Sequence, residues 1–144
     1  MTRKKYRIVS ILLLLACMLT VTTAGAYGIV PYASDQIDAY DGNAIASGGG
    51  QLAIQFSIEG TGIMKAIGSS QIKIYEKYGK DGWMIAKVFT EKDEGMTVSG
   101  RNAYGTTMYY DGIKGTQYKV VITVFATDYK NVKDSRTVTC YVTA

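Results

Sequence analysis

Between residues 51 and 59, Leu52, Ile54, Phe56 and Ile58 fall on one side of the chain, and Gln51, Gln55, Ser57 and Glu59 fall on the other. A period of two sends successive side chains to opposite faces of an extended strand, so this segment reads as a strand with one buried face. Nowhere does the chain sustain the 3.6-residue spacing of an amphipathic helix. Its apolar surface must therefore be buried by sheets alone.

The same period organises most of the remaining sequence. A weaker strand at 36–47 precedes Gly48, Gly49 and Gly50, whose permissive dihedrals suit a turn, and with 51–59 it reads as a hairpin. Segments 71–78 and 83–90 flank Gly79-Lys80-Asp81-Gly82, whose Asp-Gly step is the strongest hairpin signal in the chain. The arm 83–90 is apolar on both sides except at Lys87. A polar patch at 91–95 interrupts the pattern before a strand at 102–111, with Tyr104, Met108 and Tyr110 on one side. Segment 117–127 carries Tyr118, Val120, Ile122, Val124 and Ala126 on one face and adds Val121 and Phe125 to the other, as a central strand does. A last strand follows at 135–143.

Seven short strands without a covering helix are solved by two antiparallel sheets that hide their apolar faces against each other. The expectation is an all-β, seven-stranded antiparallel sandwich of immunoglobulin/fibronectin-like type, with a small closed barrel as the alternative. Gly115-Thr116-Gln117-Tyr118, ahead of the penultimate strand, matches the tyrosine corner of such folds. There is no interior cysteine pair, which disfavours an antibody-type domain.

The N-terminus follows a different rule. Arg3, Lys4, Lys5 and Arg7 precede an apolar run from Ile8 to Val21, and Ala24, Gly25 and Ala26 close it. That order reads as a cleavable secretory signal over 1–26, followed by a leader at 27–35 and the β domain at 36–144. The apolar run of about 14 residues is short of the roughly 20 that a spanning helix needs. Leu14-Leu15-Ala16-Cys17 also resembles a lipoprotein box, so membrane attachment through Cys17 is the alternative to release.

Cleavage after Ala26 changes two inventories. The sixteen basic side chains of the whole chain fall to twelve, which balances the twelve acidic ones. Nothing in that balance supports binding to nucleic acid or to an anionic membrane. Cys140 becomes the only thiol, and its register with Val138 and Val142 places it on the apolar side of its strand.

The chain contains no histidine. It thus lacks the usual base near neutral pH, the usual zinc ligand and the middle member of a Ser-His-Asp triad. Asp81, Glu91, Asp93, Glu94, Asp128 and Asp134 fall in turns or on polar faces, as solvated loop charge does. Their spacing fits no calcium loop, and the glycines fit no phosphate loop. The expectation is a non-enzymatic domain with no cofactor and no metal.

The positive functional signal is aromatic. Eleven tyrosines and Trp83 lie beyond residue 26, and such side chains suit surfaces that are half apolar and half wet. The alternation turns Tyr75 and Tyr109 outward, and Trp83 opens its arm beside the hairpin turn. Tyr75, Trp83 and Tyr109 are the candidate binding residues for a protein or glycan partner. Cross-strand tyrosines also line the solvated side of sheets with no partner at all.

Three further runs carry a resemblance: Pro31-Tyr32-Ala33-Ser34-Asp35, Ile63 to Ser70, and Ile72-Lys73-Ile74-Tyr75-Glu76-Lys77 followed by Trp83. With Gly115 to Tyr118 and Ser135-Arg136-Thr137, the chain resembles a family of uncharacterised small secreted β-sandwich proteins of Gram-positive bacteria. The resemblance implies secretion, a β-sandwich and a bacterial source, and brings no catalytic or ligand residues. A secreted binding domain is thus the leading expectation; a structural, self-associating accessory protein or a small secreted antagonist is the alternative.

Overall fold

A computed structural model describes residues 35–144 of the chain. The signal segment, Cys17 and all but the last residue of the leader lie outside the described residues. Eight antiparallel strands follow one another: β1 (Ile37–Gly48), β2 (Gln51–Met64), β3 (Ala66–Tyr78), β4 (Gly82–Thr90), β5 (Thr97–Val98), β6 (Arg101–Asp111), β7 (Gln117–Thr127) and β8 (Lys133–Thr143). One sheet has the order β1-β2-β6. The other has the order β4-β3-β7-β8, with β5 added to the start of β3.

The two sheets form a sandwich, not a closed barrel. Ile54, Phe56 and Ile58 of β2 meet Ile72 and Ile74 of β3 and Val120, Ile122 and Val124 of β7 in one continuous core. Each of these is essentially fully buried, and burying a side chain of this size contributes roughly 1.5–3 kcal/mol. At Gly42 the sheets pack tightly: a Cβ there would lie 3.1 Å from Ile122 Cδ1 and 3.3 Å from Val138 Cβ. A side chain at 42 would need these neighbours to give by a few tenths of an ångström.

The expected seven strands become eight because the crossing from β4 to β6 makes a short rung of its own. Thr97 and Val98 pair with Gly68 and Ile67, and the Ser69 N–H donates to the Met96 carbonyl at 2.8 Å. Met96 is fully buried and plugs the core where the chain passes between sheets. Gly68 makes the approach possible, since a Cβ there would sit 2.2 Å from the Met96 oxygen at a φ of +152°. β2 and β3 also run on through 60–70, a stretch whose glycines and serines give no clear alternation.

Loop carboxylates hold turns. Asp93 accepts from the Thr90 N–H at 2.6 Å and from its hydroxyl at 3.0 Å, and these bonds hold its carboxyl below the usual range. Asp128 Oδ1 accepts from the N–H groups of Lys130 and Val132, both at 2.8 Å, and shapes the turn before β8.

The tyrosine corner is present. Tyr118 is fully buried, its ring stands edge-on to Tyr110, and its hydroxyl accepts from the Ile113 N–H at 2.9 Å. The bond pins the β6–β7 connection to the core. The two ends of the domain lie at opposite poles: Gln36 bonds to Thr61 at one, while Ala144 bonds to Thr116 and Gly115 at the other.

Removing the Tyr118 hydroxyl strands a donor in a part-buried loop. Tyr118→Phe should lower the unfolding free energy by about 1–2 kcal/mol at unchanged denaturant slope. Gly68→Ala, which also displaces Met96, should cost more than that. Urea titrations of both variants check the order.

Candidate functional site

The outward face of the β4-β3-β7-β8 sheet is built by the same alternation that fills the core. On β3, Lys73, Tyr75 and Lys77 interleave with buried Ile72 and Ile74; on β7, Lys119 lies between buried Tyr118 and Val120. On β8, Tyr141 points outward between Cys140 and Val142, which pack on the core. Pairing sets Ile85, Tyr75, Lys119 and Tyr141 in one row across all four strands, with Trp83 opposite Lys77 beside it.

Within that row the long side chains fold over the sheet. Trp83 and Tyr141 start from opposite edge strands and meet with ring centroids 5.8 Å apart and planes tilted by 54°. Lys119 Nζ lies 4.4 Å from the Tyr75 centroid and 5.3 Å from that of Trp83, and Lys77 Nζ lies 4.9 Å from Trp83. Each such contact is worth about 0.5–1 kcal/mol at an exposed position. Trp83 and Tyr141 also line a cleft of about 400 Å³ with Gln117, Tyr118, Val142 and Thr143.

This arrangement joins two of the three residues expected from sequence. Tyr75 and Trp83 share the face, but Tyr109 is on β6 of the other sheet, whose outward side points the opposite way. There Tyr109 and Ile45 flank Ala53 in one row and shield it almost completely. Tyr141 was not among the expected residues although its own strand alternates, Thr137, Thr139 and Tyr141 against Val138, Cys140 and Val142. What joins it to Trp83 is the strand order.

At the far end of the same face Phe125 points outward yet is only 4% exposed. Lys133 Nζ lies 4.1 Å from its ring centroid and 3.6 Å from Glu91 Oε2, so Lys133 covers the ring and ties β8 to the β4–β6 crossing. A second cleft of about 400 Å³ opens here between Glu91, Lys92, Thr97, Phe125 and Lys133, without the paired aromatic rings of the Trp83–Tyr141 end.

The outer side of the three-stranded sheet has a different chemistry. Small residues, Ala39, Ser57, Ala103 and Gly105, leave a hollow of about 410 Å³ bordered by Asp41 and Glu59. Among the described residues, no group of three or more His, Cys, Asp or Glu side chains converges as metal ligands would.

Cys140 is half-buried against the core, and its thiol lies 3.7 Å from the Val120 carbonyl as donor. Burial, then the charge of Asp41, pushes the thiol above its ordinary range. A thiol held protonated is a poor nucleophile at neutral pH.

No protein-family model matches the chain, and no curated protein matches it. Among solved structures it is similar to Spo0M, a sporulation control protein from Bacillus subtilis, at 12% identity and a TM-score of 0.42. The match covers 73% of this chain and 49% of that one, so the chain spans about half the length of its structural neighbour.

The raised thiol gives a pH-dependent expectation. Folding favours protonated Cys140, so its contribution to stability is full below the unfolded thiol's pKa and is lost as pH rises through the folded one. Iodoacetamide at pH 8 should modify the folded chain more slowly than the urea-unfolded chain. The folded rate should go on rising with pH after the unfolded rate has levelled, and coincident pH profiles would contradict the assignment.

Proposed function

We propose that the chain is an exported, non-enzymatic β-sandwich domain that binds a protein or glycan partner at or outside the cell surface. The observation that carries the reading is the Trp83–Tyr75–Tyr141 surface with Lys77 and Lys119 laid on its rings. Core packing does not require it: Tyr141 is 67% exposed, and Ile85, in the same row, is 56% exposed. Exposed aromatic groups on a rigid sheet offer flat apolar area at low entropic cost, the quality by which such residues anchor partners or stack on sugar rings.

Supporting arguments come from the rest of the chain. The charged, apolar and small-residue order of its first 26 residues favours secretion, as does the resemblance to exported proteins of Gram-positive bacteria. The lack of histidine and the protonated Cys140 favour binding over catalysis. The strand order favours a fibronectin-like sandwich over the immunoglobulin constant type: there the fourth strand joins the first sheet, whereas here β4 pairs with β3 on the second.

Trp83 is the only tryptophan, so its fluorescence reports from the face itself. Binding to producing cells and to an array of neutral and acidic oligosaccharides should fall at least about tenfold in Trp83→Ala and Tyr141→Ala, a loss of about 1.4 kcal/mol or more. Tyr109→Ala, on the opposite face, should bind as the parent does. Equal binding by all three variants would refute the site.

A further inference from the structure

The charges of this domain are sorted by face. Outward positions on β3 and β7 carry Lys73, Lys77 and Lys119, and no outward position on β3, β4, β7 or β8 along the Trp83–Tyr141 rows carries a carboxylate. On the other sheet, β1, β2 and β6 contain no lysine and one arginine, Arg101, at the start of β6 beyond the Glu59–Ala103 pair. Their outward positions include Asp41, Glu59 and Asp111. None of these three lysines and three carboxylates takes part in an ion pair within the domain. Asp111 is engaged by the Gln51 amide, and Lys77 and Lys119 lie against rings.

We infer that the Trp83 face is also met by a second copy of this chain, seated through the acidic outer face of its three-stranded sheet. The inference rests on the reading of the Trp83 face as a binding surface and adds a partner to it. Opposite charges confront each other in this register, while like faces would set lysine against lysine or carboxylate against carboxylate. The hollow bordered by Asp41 and Glu59 lies on the acidic face and has room for a side chain, and Tyr141, 67% exposed, stands out from the basic one.

The contact is heterologous, because two different faces meet. Its two halves lie on opposite sides of one sandwich, so each added copy leaves both kinds of face free and the assembly stays open. Three strands about 4.8 Å apart, with about eight residues of 3.4 Å rise, give the smaller, acidic face about 400 Å². A total near 800 Å² is below the size of a stable interface, so the association is weak, reversible and sensitive to salt.

Sedimentation velocity tests this on protein purified from cells that express the full chain. At about 0.1–1 mM protein in low salt the mean mass should rise with concentration. It should return to that of a monomer in about 0.5 M salt, where the Debye length is about 4 Å. Lys77→Glu with Lys119→Glu, and separately Asp41→Lys with Glu59→Lys, should each weaken association at least about tenfold. An equimolar mixture of the two reversed proteins should associate again, which also shows that both are folded. Lys77→Gln with Lys119→Gln serves as a milder version of the first.

A parent chain that stays monomeric in low salt would overturn the inference. So would association that persists in high salt, reversed variants that assemble like the parent, or a mixture that fails to recover. Loss of oligosaccharide or cell binding in Trp83→Ala alongside a monomeric parent would remove self-association and leave the binding face standing.

Discussion

Everything in this structure depends on two sheets covering each other. Among the described residues neither has a helix to lie under, so each apolar face is hidden by the other, and the quality of that contact sets the stability of the whole. Gly42 lets β1 come down onto Ile122 and Val138, and Met96 closes the gap that the crossing chain would leave. Tyr118 ties the next connection to the same core through its hydroxyl. With the inner faces committed to each other, the outer faces are released from packing. Chemistry can then differ between them at little structural cost.

How much of this was legible depends on distance along the chain. Leu52 to Ile58 declared a one-faced strand because alternation is local, and Gly79 to Gly82 declared a hairpin for the same reason. The Gly-x-x-Tyr run at 115–118 pointed to the tyrosine corner because a short segment makes both ends of that bond. The eighth strand was hidden: Thr97 and Val98 are too few to alternate, and what makes them a strand is the room left by Gly68, about thirty residues earlier. Residues 60–70 show no period of two, because Ile63, Met64, Ala66 and Ile67 fall in adjacent pairs among Gly60, Gly62, Gly68, Ser69 and Ser70.

The candidate site was half legible for a related reason. Alternation says that Tyr75, Tyr109 and Tyr141 point outward but not which sheet owns each strand. The pairing of β6 with β2 separates Tyr109 from Tyr75 and Trp83, and the pairing of β8 with β7 brings Tyr141 to them. The sorting of lysines from carboxylates is hidden at the level of composition, because the two populations cancel over residues 27–144. It emerges only when strands are assigned to sheets.

The opposite placement of the two ends has a mechanical consequence. Asp35 leaves the domain beside Thr61, and Ala144 ends beside Gly115, so a load applied between them runs nearly parallel to the strands. Under such a load the β1–β2 and β7–β8 ladders slide lengthwise, and many hydrogen bonds bear the force together instead of opening one by one. Loaded between its two poles, the sandwich would resist extension in its strongest direction.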